Sequence, residues 1–379
     1  GGFADCSGIT SLVIPNSITF FGNNVFAGCS GIKGTITIPS VLQSIPKGFF
    51  ERCKGVTSFT FPSSVKTIGE NCFEGCTGLT GTLTIPASVE KIEKEAYKDC
   101  TGFTGSLTIP NQVSFIGARA FSGCTGITSY TIPNSVTSIS NGLFENCAGL
   151  TSLSIPNTIK SIDIKAFSGC TKLAGTLTIP NSVESIGRSA FAGLGFTELV
   201  LSSSLKTIGD DAFSECTKFT GTLNLPESLE SIGDNAFYKC SGFTGLLNIP
   251  SNIKSIGSNA FSGCTGINKI TYKGKVEPKC GDIGFNKDLI VETEEGFLNQ
   301  SFCSLDVKNK GPTTNPTIEP SSNPSSESSS QPVSISPTET GSTSSSQVKP
   351  DDKTEEKANK IKTGLLVGII IIVVVIVAL

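Results

Sequence analysis

The sequence predicts a repeat solenoid, a β-rich stack of coils with parallel strands, and three recurrences carry that reading. An aromatic residue returns every 22 to 24 residues, at Phe3, Phe26, Phe50, Phe73, Tyr97, Phe121, Phe144, Phe167, Phe191, Phe213, Phe237 and Phe261. A cysteine stands three residues after each of them, from Cys6 and Cys29 to Cys240 and Cys264, with Leu194 the one exception. An apolar-x-apolar-Pro segment then follows, as in Leu107-Thr108-Ile109-Pro110 and Leu177-Thr178-Ile179-Pro180. One unit has too few apolar residues to bury a core alone, so equivalent side chains of neighbouring coils must pack on one another along the axis.

Each part of the unit has its own physical reason. Alternation with a period of two marks a short strand. The proline after it, for example Pro86, Pro110 or Pro180, removes an N–H and lets the chain turn away from the ladder. A second apolar pair, Val183 and Ile186 in one copy, precedes Gly187 and the small-aromatic pair Ala190-Phe191. Stacked in register, the cysteines face inward about 4.8 Å apart as small apolar plugs. Parallel stacked side chains do not present a disulfide's dihedral, so free buried thiols are expected. Cys72 fills the slot held elsewhere by Ala96, Ala120 or Ala166 and reads as another small core residue. The copy from Phe191 has Leu194 for Cys, Ser202 for Pro and only 22 residues, which predicts a local irregularity. About twelve strands at one spacing per coil predict a sheet on the order of 55 Å long.

The order L-x-x-(x)-L-x-I-P-x-x-V-x-x-I-G-x-x-A-F-x-x-C resembles the BspA-like leucine-rich repeats of bacterial and protozoan cell surfaces, over about residues 1 to 275. The resemblance implies a BspA-type leucine-rich repeat fold, with parallel strands lining one face of a curved solenoid and looser backbone on the other. It also implies a surface protein that binds or adheres, without naming the ligand.

Four segments follow. Residues 1–275 are the leucine-rich repeat solenoid, about 12 units of 22–24 residues. Its N-terminal end is expected to be incomplete, because residue 1 falls inside a repeat and the chain has no Met. Residues 276–308 form a C-terminal cap, as a solenoid end that would otherwise expose its core requires. Within it, Cys280 and Cys303 are disulfide candidates for an exterior compartment, and Asn299 heads the one usable glycosylation sequon, Asn299-Gln300-Ser301. Residues 309–362 are a disordered Ser/Thr/Pro-rich stalk with a charged juxtamembrane segment. Residues 363–379 are expected to form a C-terminal transmembrane helix. Its apolar run, GLLVGIIIIVVVIVAL, would span about 24 Å as a helix, short of a hydrocarbon core of about 30 Å. It reads either as a truncated span or as a cleaved anchor-addition signal. Both readings place the repeats outside the cell, and the favoured one, the helix, makes the chain a single-pass plasma-membrane protein.

Composition points away from catalysis. The chain has no His and a formal charge of -3, so it offers neither the commonest general base nor a basic field for nucleic acid. Its Ser and Thr residues lack a base, and the sequence shows no metal-spaced Cys cluster or phosphate-cradling loop. No catalytic, cofactor-binding or metal-ligating residues are assigned, and an enzyme is not expected.

What remains is surface. The residues between the strand's apolar positions should face outward in two rows, mostly Thr and Ser, such as Thr35 and Thr37 or Thr82 and Thr84. β-Branched Thr suits an exposed strand whatever the protein does. The composition nevertheless changes in the C-terminal third, where Thr178, Glu198, Val200, Thr222, Asn224, Leu246, Asn248 and Lys269 form the candidate partner-binding patch. Protein or glycan ligands on other cells or matrix are the expected partners, together with the membrane through the C-terminal helix. The favoured function is a cell-surface adhesion or ligand-binding protein. The alternatives are a surface coat or antigenic display protein without a specific partner, and a receptor whose cytoplasmic tail is missing.

Overall fold

The computed structural model describes residues 2–309, and every regular element in them is a β-strand. The expected stalk and transmembrane helix lie outside the described residues. Among the described residues, no helix is long and apolar enough to cross a membrane.

One coil shows how the sequence closes on itself. Around Phe121 the chain turns tightly because Arg119 and Gly123, two residues before and after the ring, both adopt left-handed backbone, with φ of 56° and 73°. Between them, the N–H groups of alternate residues point to the next coil. Arg119, Phe121 and Gly123 donate to Asn141, Leu143 and Glu145 of the next coil at 2.8, 3.2 and 2.8 Å. Those bonds hold a non-glycine residue at a φ that it would otherwise avoid. After Cys124 the chain passes Gly126, where a Cβ would sit 2.1 Å from the Phe103 carbonyl oxygen of the preceding coil. Glycine is there for close backbone approach. Strand Ile127–Thr131 follows, then Pro133, the two-residue strand Ser138–Ile139, and the next ring.

The core is a set of parallel files of identical side chains. The aromatic file runs unbroken from Phe3 to Phe285, with nearly parallel rings and centroids 5.2 to 6.3 Å apart. Phe285 adds a rung inside the segment assigned to the cap. Beside it run the Val/Leu/Ile file, including Val183 and Leu205, and the Ile file, including Ile162 and Ile186, all buried.

The strand ladders differ from expectation. A single sheet of about twelve strands is not formed. The longer strands pair in short groups: Gly34–Thr37 with Val56–Thr60, Gly105–Thr108 with Ile127–Thr131, and Ala174–Thr178 with Gly195–Val200. Thr244–Ile249 and Gly266–Tyr272 begin a five-stranded group that continues through Ile290–Thr293 and Leu305–Asn309. Unequal coil lengths are absorbed as register shifts where these strands pair. Cys100 to Pro110 is one residue longer than Cys124 to Pro133, and the register shifts between Gly105 and Ser106 where those two coils pair. The next coil, Cys147 to Pro156, is as long as Cys124 to Pro133 yet forms no assigned strand on this face. It is joined by Thr151, whose N–H and hydroxyl both donate to the Thr128 carbonyl, at 3.0 and 3.2 Å.

The opposite side was expected to be looser and instead carries the longest ladders. Two-residue strands stack as four (Ser44–Ile45, Thr67–Ile68, Lys91–Ile92, Phe115–Ile116) and then as seven, from Ser138–Ile139 to Lys279–Cys280. There the distance from Pro to Ile is the same in almost every coil, so pairing stays in step. At the one break the Ser140 hydroxyl donates to the Ile116 carbonyl at 2.8 Å. At the C-terminal end, Ser301–Phe302 folds back antiparallel on Leu305–Asn309, which blunts the last sheet edge.

The irregular copy keeps the stack intact. Leu194 is buried in the cysteine slot, and Ser202 in the proline slot is fully buried. The Ser202 hydroxyl donates to the Val183 carbonyl at 2.7 Å, and its own carbonyl accepts from Leu205 N–H at 3.2 Å, as Pro180 does from Val183.

Candidate ligand-binding face

Strand alternation sorts the candidate residues as the sequence implies. In Ala174–Thr178, Leu177 is buried while Thr176 and Thr178 are exposed. Parallel pairing sets Thr176 beside Glu198 and Thr178 beside Val200, and the Thr176 hydroxyl donates to Glu198 Oε2 at 2.8 Å. Val200 is 44% exposed, an uncovered apolar side chain beside a carboxylate. Thr222 and Asn224 are exposed too, but their coil forms no assigned strand on this face, and Asn224 Nδ2 reaches back to the Thr222 carbonyl at 3.4 Å. Further along, Leu246 pairs with Lys269 and Asn248 with Thr271, whose hydroxyl donates to Asn248 Oδ1. Leu246, Asn248 and Lys269 are half-buried.

The patch is therefore two clusters on one face, separated by an irregular coil. Its charge differs from what the sequence suggested. Lys269 Nζ pairs with Glu292 Oε2 at 2.7 Å, so its charge is countered by a residue from the assigned cap. Toward the N-terminal end the same face carries no charge: Thr35 and Ser58 share a hydroxyl hydrogen bond of 2.6 Å, and Thr108 lies between Thr84 and Thr131.

Three features were missed by sequence reasoning. The first is the role of the cysteines, read as apolar plugs. Each ladder thiol from Cys29 onward donates to the carbonyl of the aromatic residue in the preceding coil, as Cys124 does to Tyr97 at 3.2 Å and Cys147 to Phe121 at 3.1 Å. Burial pushes the Cys124, Cys170 and Cys216 thiols up to about 12. Cys6 alone among the free thiols is exposed, because no coil among the described residues precedes its own. A slot taken by Cys rather than Ala in almost every copy was the available signal.

The second is a charge ladder on the opposite face, two positions before the Ile of each short strand. Lys160, Glu184, Lys206, Glu230 and Lys254 alternate in sign over five consecutive coils. Lys206 meets Glu184 at 2.7 Å and Lys254 meets Glu230 at 2.6 Å. Hydrogen bonding and charge from Lys206 and Lys254 hold the Glu184 and Glu230 carboxyls below the usual range, and the Glu184 partner raises Lys206. The alternation is plain in the sequence once that position is aligned.

The third is Glu277, beside the disulfide candidates at the C-terminal end. Cys280 and Cys303 are joined in a disulfide with Cα atoms 5.3 Å apart. Glu277 sits against it, its Oε1 accepting the Cys303 N–H at 2.6 Å and its Oε2 accepting Asn299 Nδ2 at 2.7 Å. The exposed glycosylation candidate Asn299 is thus held by an acidic residue that the sequence did not single out.

Comparison with known proteins follows this geometry. Residues 1–104, 92–220 and 184–287 match the family described as BspA type Leucine rich repeat region, in six copies. No curated protein matches the chain. Among solved structures, the chain is similar to a leucine-rich repeat protein from Bacteroides ovatus, at 27% identity and a TM-score of 0.43, covering 70% of this chain and 88% of that one. A leucine rich cell surface protein from Faecalibacterium prausnitzii is 23% identical with a TM-score of 0.41, covering 69% and 87%. The pneumococcal vaccine antigen PcpA is 18% identical with a TM-score of 0.39, covering 79% and 78%.

Proposed function

Because this chain belongs to the BspA-type leucine-rich repeat family, we propose that it is a cell-surface adhesion or ligand-binding protein whose strand face meets proteins or glycans on other cells or matrix. The observation that supports this most is the break in that face's composition. A hydroxyl-only surface gives way to Glu198 beside exposed Val200, then to Asn224, Asn248 and the Lys269–Glu292 pair, all pointing outward from consecutive coils. Uniform packing needs would be served by Thr throughout, so the change calls for a reason outside the core. The repeats would stand outside the cell, anchored through residues 363–379.

Cells displaying the full chain should attach to a partner surface, and the Glu198→Thr/Val200→Thr pair should reduce attachment at least tenfold. A coat or display role without a partner is the second reading, favoured by the fact that exposed Thr needs no ligand to explain it. Attachment unchanged by the double substitution, with display levels equal, would leave the coat reading standing and remove the binding one.

A further inference from the structure

We propose that the C-terminal end carries a redox-gated metal site, in which Glu277, Cys280 and Cys303 take a zinc-like divalent cation once their disulfide is reduced. The donor atoms of these residues lie within 4.8 Å of one another. They come from two segments of the chain. Cys280 occupies the Ile slot of the last short strand, paired with Ile256, Glu277 precedes that strand, and Cys303 is at the tip of the closing hairpin. Cys303 and Ser304 form that tip with φ of 49° and 69°, a left-handed pair usually left to Asn and Gly. Two things hold the tip in this shape: the bond to Cys280 and the Glu277 hydrogen bond to the Cys303 N–H. Glu277 is itself oriented by Asn299, so its carboxylate is fixed beside the sulfurs whether or not they are bonded to each other.

The chemistry balances with a dithiol reductant. Its thiolate attacks the disulfide, the S–S bond breaks, two electrons pass to the cysteine sulfurs, and the reductant leaves as its own disulfide. The cation then displaces both thiol protons and binds two thiolates and one carboxylate, leaving a fourth position for water. Two sulfurs and one oxygen suit a borderline-soft, tetrahedral ion such as zinc rather than calcium or magnesium. The ladder thiols do not compete, since each from Cys29 onward is buried and directed at a carbonyl of the neighbouring coil.

The test uses the full chain, titrated with zinc against a chromogenic chelator before and after phosphine reduction. One zinc per reduced chain and none per oxidised chain is expected. Cobalt(II) should give a thiolate-to-metal charge-transfer band. Cys303→Ser should abolish binding. Glu277→Gln keeps both cysteines and the disulfide, and should weaken zinc binding at least tenfold. A reduced chain that takes no zinc, or equal binding by Cys303→Ser or by Glu277→Gln, would overturn the proposal.

Discussion

At the scale of single residues, the stack is a set of repeated decisions whose energetics can be tested one side chain at a time. Phe121 lies between Tyr97 and Phe144 at 5.8 and 5.9 Å, so its loss opens a cavity shared by three coils. Phe121→Ala should cost about 3–5 kcal/mol in denaturant unfolding. Cys124→Ala removes both a small buried volume and the thiol's hydrogen bond to Tyr97, and should cost about 1–2 kcal/mol. Tyr97 works the other way. Its hydroxyl is buried with no hydrogen-bond partner in the protein, where neighbouring coils use Phe. Tyr97→Phe removes that desolvated group and should leave stability equal or raise it by about 1–3 kcal/mol. A loss of stability would show that the hydroxyl has a partner that matters. The sequence made the aromatic and cysteine positions legible because each recurs about a dozen times. It hid the thiol's direction, since a hydrogen bond to a carbonyl 25 to 27 residues earlier leaves no mark on spacing.

At the scale of the element, the coil explains where sequence reasoning succeeded and where it did not. Thr176, Thr178, Glu198 and Val200 share an outward face because strand alternation fixes sides, and alternation is visible in any one copy. Register between paired coils depends instead on their relative lengths. The difference of one residue between Cys100–Pro110 and Cys124–Pro133 is present in the sequence but acts only when the two arcs are stacked. The Glu277 contact was illegible for the same reason, because the pairing of the hairpin tip with the last short strand is set by the fold-back at Ser301–Phe302. The charge ladder is also an element-scale device, linking coils on the face opposite the candidate patch. Lys206→Glu places like charges on three successive coils, Glu184, position 206 and Glu230. It should lower the thermal midpoint at low ionic strength and lose most of that effect near 1 M salt, where the screening length falls to about 3 Å. Exposed pairs are weak, so an effect equal at both salt concentrations would mean that the side chains act through packing.

At the scale of the whole molecule, a scaffold joined by neutral buried thiols differs from one joined by disulfides in how it meets alkali. Cys53, Cys124, Cys170, Cys216 and Cys264 are all raised from 9.0 to about 12 by desolvation. The folded state holds their protons more tightly than the unfolded chain, so their contribution is complete below pH 9 and is lost as pH rises from 9 through 12. Stability to denaturant should fall steeply across that window, and less steeply in Cys124→Ala/Cys170→Ala. The most direct test of packing against cross-linking is a count of thiols by intact mass after alkylation in denaturant without reductant. Fourteen cysteines, of which only Cys280 and Cys303 are bonded, should give twelve alkylated sites, with two more after reduction. A count near zero before reduction would mean that the ladder is oxidised, and that covalent bonds rather than stacked rings and thiol-to-carbonyl contacts hold the coils together.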